Sequence, residues 1–202
     1  MNRGGLAVLS AILTGCAGTG LRYAAPDLGA RLPAKAAVLP FDNESVNLQG
    51  AAQVRRLVEE ALAGRGWALA DRAAVDAVLQ RLGVTDGGQL GALDPKKLGA
   101  ELGVSGLVFG TLEEFTFQNV GFVRRRVVRL SLKLVEASTG ERLWEASGED
   151  DTGRVVLERR RAGRSFLEGV IEQAAETAQG APLLMESRAA VMKAVATLAG
   201  RL

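Results

Sequence analysis

The chain has 202 residues, of which 48% are hydrophobic and 24% charged, the balance of a folded domain rather than of a disordered segment. Twenty-five Lys and Arg against 23 Asp and Glu leave a formal charge of +2, which gives no net attraction to nucleic acid. There is no histidine, which removes the commonest general base, the usual catalytic zinc ligand and both the Ser-His and Cys-His nucleophile pairs.

The N-terminus has the order of a secretory signal peptide: a basic start at Met1-Asn2-Arg3, an apolar run from Gly4 to Ile12, then Leu13-Thr14-Gly15 before Cys16. These four residues resemble the bacterial lipobox, which implies removal of residues 1–15 and a covalent lipid on Cys16. A membrane span is disfavoured, because spanning takes about 20 strongly apolar residues, and Gly4, Gly5, Gly15, Gly18 and Gly20 dilute this stretch. Stable anchoring needs two membrane signals. The diacylglyceryl group and amide-linked chain that the lipobox resemblance implies exceed that requirement. Ala17, rather than Asp, follows the cysteine, which by resemblance to bacterial sorting rules favours the outer membrane. Cys16 is the only cysteine, so no disulfide is expected and the core must hold the fold unaided.

Residues 16–33 are small, aperiodic and broken by Pro26 and Pro33, and read as a lipidated tether. Residues 34–202 then read as a single α/β domain. Ala36 to Leu39 is an apolar run closed by Pro40, suited to a strand buried on both faces. Asp42 to Ser45 follows as a polar loop. Ala51 to Gly64 places Val54, Leu57, Val58, Ala61 and Leu62 on one helical face, with Arg55, Arg56, Glu59 and Glu60 between them. Trp67 to Ala70 is a short apolar strand. Asp71 is placed to cap a helix carrying Val75, Val78, Leu79 and Leu82, and Asp94-Pro95 to open another ending at Leu102. Gly106 to Phe117 is strand-like. From Val123 to Glu136 the period is two: Val128, Leu130, Leu132 and Leu134 predict a dry face, Arg125, Arg129 and Lys133 a solvated one. A turn at Ala137 to Gly140 returns the chain through Arg142 to Ala146, and Gly148 to Gly153 reads as polar and flexible. The C-terminal part is predicted helical from about 165 to 202, broken at Gly180-Ala181-Pro182, with Val191, Val195, Leu198 and Leu202 along its last stripe.

Little of this carries reaction chemistry. Glu113 and Glu114 are strand neighbours that point to opposite faces, and Glu149-Asp150-Asp151 lacks the spaced oxygens of a calcium loop, so no metal site is expected. Ser131 and Lys133 share a strand face as a Ser-Lys pair would, but a solvated polar face explains them better. The glycines from Gly83 to Gly91 match neither phosphate-cradling spacing. The basic residues Arg124, Arg125, Arg126, Arg129 and Lys133, with Arg159, Arg160, Arg161 and Arg164, are the expected contact surface for an acidic partner or anionic lipid. No aromatic platform accompanies them, which argues against nucleic acid.

Ala37-Val38-Leu39-Pro40-Phe41-Asp42-Asn43 resembles the first strand and loop of the TolB N-terminal domain and of the curli-secretion lipoprotein CsgG. Thr85 to Leu90, Leu98-Gly99, Gly106 to Thr111 and Thr139 to Trp144 resemble, more narrowly, the neisserial-antigen-type family of bacterial lipoproteins. The Arg159 to Arg164 stretch departs from that family's small or apolar residues. The resemblance implies a three-layer-like α/β sandwich with a mixed central sheet, in the order β-α-β-α-α-β-β-β, followed by C-terminal helices. It also implies a role in the cell envelope as part of a lipoprotein assembly; the lack of histidine and of a convergent carboxylate pair adds the expectation of a non-enzymatic protein, on the periplasmic side. The neighbours it implies are a CsgG-like lipoprotein and a small helical one, with a homo-oligomer and a CsgG-like channel subunit as further readings. No non-covalent cofactor is expected. An envelope hydrolase is opposed by the missing histidine.

Overall fold

The computed structural model describes residues 20–120, 123–155 and 182–200. The leader, Cys16, the Arg159 to Arg164 cluster and the predicted helix from 165 to 178 lie outside them. The described elements are β1 (Gly20–Ala24), β2 (Ala36–Val38), β3 (Asp42–Asn43), α1 (Gly50–Ala63), α2 (Arg72–Arg81), a 3-10 helix (Gly87–Ala92), α3 (Pro95–Leu102), β4 (Gly106–Val120), β5 (Val123–Glu136), β6 (Arg142–Val155) and α4 (Leu184–Val195).

Six strands among the described residues form one sheet in the order β1-β6-β5-β4-β2, with β3 also beside β4. β2 and β3 run parallel to β4, and the other neighbours are antiparallel, so the sheet is mixed. One face carries Val38, Val108, Leu112, Leu130, Leu132 and Leu134 against α1 and α4. The other carries Ala37, Leu39 and Leu107 against α2, the 3-10 helix and α3. The second helical layer packs over the β2–β4 half and leaves a polar surface on β5 and β6. Alternation accounts for this arrangement: Ala37 and Leu39 face one layer, Ala36 and Val38 the other, and all four are buried.

The helix boundaries follow local chemistry. Asp71 and Asp94 cap α2 and α3 by accepting from the N–H groups of Ala74 and Lys96 at 2.9 and 3.0 Å. Pro95 opens α3, and Gly103 closes it at φ 62°, a left-handed conformation that a side chain disfavours. In α1, Arg55 belongs to the buried face rather than the polar one. Its guanidinium donates to the Val38 carbonyl at 2.9 and 3.1 Å and to Asp76 at 2.6 Å.

Three segments differ from expectation. Residues 20–24 of the predicted tether form an edge strand, with Gly20 opposite Ser147 and Ala24 opposite Trp144. A five-residue strand with one partner has too little pattern to be seen in sequence, and the open edge of β6 supplies its hydrogen bonds. Trp67 to Ala70 contributes only an isolated bridge between Leu69 and Ala36. Gly148 to Gly153 is ordered strand within β6, in register with Leu130 to Arg125 of β5. Its carboxylates have low strand propensity, but each finds a cation: Glu149 pairs with Arg129, Asp150 with Lys193 and Asp151 with Arg125.

Candidate functional site

The polar face of β4, β5 and β6 is built in rungs set by strand register. Glu114, Arg129 and Glu149 form one rung, Thr111, Ser131 and Ser147 the next, with Asp42 beside Thr111, and Phe109, Lys133 and Glu145 the one after. Opposite residues in adjacent strands lie about 5 Å apart, close enough for side chains on one face to interact.

The upper rung is an ion-pair ladder. Arg129 grips Glu149 with two hydrogen bonds of 2.9 and 3.1 Å and approaches Glu114 at 3.2 Å. Arg125 reaches Glu114 at 3.2 Å and Asp151 at 3.4 Å. The hydrogen bond from Arg129 holds the Glu149 carboxyl below its ordinary range against partial burial, and the same bond raises the Arg129 guanidinium. Arg125 and Arg129, predicted as a free basic surface, are therefore neutralised in place.

Arg126 is the larger correction. The bend of the alternating pattern into three consecutive arginines puts it on the dry face with Val128, where it is 4% exposed. Its Nη2 donates to Glu186 Oε2 of α4 at 3.0 Å, its Nε to the other oxygen, and its guanidinium lies 5.3 Å from the centroid of the Phe117 ring. It is a structural cation, not a contact residue. The side chain of Arg124 lies outside what the structure describes, as do Arg159, Arg160, Arg161 and Arg164.

Lys133 differs from these. It is exposed, no carboxylate among the described residues pairs with it, and its ammonium lies 5.1 Å from the centroid of the Phe109 ring. It stands in a cleft of about 380 Å³ between the sheet and the 3-10 helix. Thr111 and Ser131, opposite one another, contribute neighbouring hydroxyls, and Asp42 lies at the far wall. That wall is set by close backbone approach: a Cβ on Gly87 would come within 2.2 Å of the Phe41 carbonyl carbon. Asp86 accepts from the Gly88 N–H at 2.8 Å, and Gln89 accepts from the Thr85 N–H at 2.7 Å, fixing the loop.

Sequence reading paired Ser131 with Lys133 but missed Asp42 and Thr111. The missing signal is the register of β4 on β5, which no local pattern encodes. Among the described residues no group of three carboxylates is arranged to hold a metal ion, and no helix is long and apolar enough to cross a membrane.

A mixed sheet between two helical layers, with four motif segments meeting at one cleft, defines the class. The chain belongs to the family described as "Putative lipoprotein GNA1162-like", which matches residues 23–195. That membership places it among lipid-anchored proteins of the cell envelope. Among solved structures it is similar to lipoprotein GNA1162 from Neisseria meningitidis, at 22% identity and a TM-score of 0.56, covering 71% of this chain and 99% of that one. It is also similar to the PelC dodecamer from Paraburkholderia phytofirmans, at 12% identity and a TM-score of 0.51, covering 83% and 89%. At these identities the likeness is one of fold. Comparison with curated proteins finds no match.

Proposed function

We propose that this chain is a non-enzymatic binding component of an envelope assembly. After removal of residues 1–15, lipid on Cys16 holds it at the outer membrane on the periplasmic side, and a partner docks over the cleft at Lys133. The observation that carries the docking site is a contrast: Arg125, Arg126 and Arg129 are matched by carboxylates, whereas Lys133 pairs with no carboxylate among the described residues and shares its cleft with two hydroxyls, Asp42 and a Glu145 that is bonded to Arg142. An unpaired cation in a polar cleft gives a partner's acidic group something to replace water with. The motif resemblance supports a CsgG-like lipoprotein and a small helical one as neighbours, in a fold related to CsgG and the TolB N-terminal domain.

The test is recovery of partners from detergent-solubilised membranes with wild-type and Lys133→Glu protein. Placing like charge against an acidic group should lower recovery on the order of tenfold. Undiminished recovery would remove the cleft from this reading.

A second reading is favoured by one observation, the dodecameric state of the PelC structure that shares this fold. In it the chain forms a ring, as a channel subunit would. Mass measurement of the detergent-solubilised protein separates the two, and a ring of many copies would replace the adaptor.

A further inference from the structure

The first residues of the folded body fix which way it faces. β1 begins at Gly20, so only Ala17, Gly18 and Thr19 separate it from Cys16. At no more than about 3.6 Å per residue, the Cys16 Cα lies within roughly 14 Å of the Gly20 Cα. A tether running to residue 33 would have allowed about 60 Å at the same spacing. The lipid-bearing residue is thus confined to the neighbourhood of one sheet edge.

That edge has definite properties. β1 is the outermost strand, and its N-terminal end points along the Gly148–Val155 half of β6, which extends about 26 Å beyond the level of Gly20. Leu21 is 53% exposed there, and Arg22 is exposed beside it. The nearby carboxylates would repel an anionic surface if bare, but Glu149, Asp150 and Asp151 are each held by a cation. At physiological salt the Debye length is about 8 Å, so compensation by partners 2.8 to 3.4 Å away leaves little field at headgroup distance. The opposite edge is different. β3 lies four strand spacings from β1, roughly 19 Å away, and the loop following it exposes Val46 and Leu48 by 94% and 91%. Asn43, Ser45 and Asn47 tie that loop together by side-chain hydrogen bonds, so the two aliphatic groups are presented from a fixed backbone.

We infer that the sheet edge formed by β1 and the adjoining part of β6 lies against the phospholipid headgroups, and that the β3 edge, with the Val46–Leu48 loop, faces the aqueous side. This rests on lipidation of Cys16 as proposed above. It makes the ion-pair ladder a neutral rim for a bilayer and leaves the β3 edge open.

The experiment uses the full, processed lipoprotein in vesicles of phosphatidylethanolamine and phosphatidylglycerol carrying a headgroup-attached nitroxide. Cys16 is consumed by lipid, so single thiols introduced by Arg22→Cys and Leu48→Cys each take one fluorophore. Quenching at position 22 should exceed that at position 48 several-fold. A flexible Gly/Ser insert of about fifteen residues between Thr19 and Gly20 adds roughly 20 Å of mean reach, and should relieve the quenching at 22 at least twofold. Equal quenching at the two sites, stronger quenching at 48, or no effect of the insert would overturn the orientation. Intact mass of the same sample separates the failures: acylated Cys16 with symmetric quenching sinks the orientation alone, and an unacylated chain sinks the lipoprotein reading beneath it.

Discussion

Arg126 and Glu186 form a buried pair, with side chains 5% and 8% exposed, that ties α4 to β5. Removing one member leaves the other charged and without water, so Glu186→Ala should cost about 3–5 kcal/mol in urea unfolding. The double replacement Arg126→Met, Glu186→Leu should recover most of that loss, because it removes the uncompensated charge and keeps apolar contact with Phe117. Glu149 gives a residue-scale dependence on pH. Its folded pKa is depressed by Arg129, so the pair's contribution is fully present above the ordinary carboxylate pKa and is lost as pH falls through the lowered folded value. Arg129→Gln should flatten the acid limb of a plot of stability against pH, with little change near neutrality in that limb's slope. Glu136, lowered by hydrogen bonds from Arg31 and then Thr139, contributes in the same direction, so the flattening will be partial.

At the scale of elements, α4 and β6 meet where a side chain would not fit. A Cβ on Gly148 would lie 1.9 Å from the Ala190 carbonyl oxygen, a backbone atom that cannot rotate away. Gly148→Ala should therefore displace α4 and lower stability by about 1–3 kcal/mol, read as a shift in denaturant midpoint. The final helix and the turn after it carry Val191, Val195 and Leu198 into the core with α1 and the sheet, so these three apolar side chains are spent within the chain. Its alternating neighbour β5 was legible from the sequence, since Val128 to Leu134 repeat with period two over a long run. β1 and the second half of β6 were not. The first is short and single-partnered, and the second is acidic, so both are strands only because another element completes them.

For the whole molecule, anchoring and folding are separate properties. The described core is built from Ala25 onward, so, on the proposed lipidation, Cys16→Ser should move the protein from the membrane to the soluble envelope fraction. Its thermal unfolding temperature should stay within a few degrees of wild type; a large fall would mean that the N-terminal region contributes to the core. Of the candidate surface, the sequence marked Lys133 but grouped it with Arg125, Arg126 and Arg129, which the fold neutralises.

Local pattern alone determined the capped helices and the two faces of β5, and is the whole basis for expecting a lipobox, because caps and periodicity act between residues a few positions apart. Tertiary structure alone decided that Arg126 is buried, that Asp42 and Thr111 join Ser131 and Lys133 in one cleft, and that an edge strand of the sheet begins at Gly20. Each of these depends on strand register or helix docking between segments far apart in the chain, and the free energies that choose them belong to both partners at once.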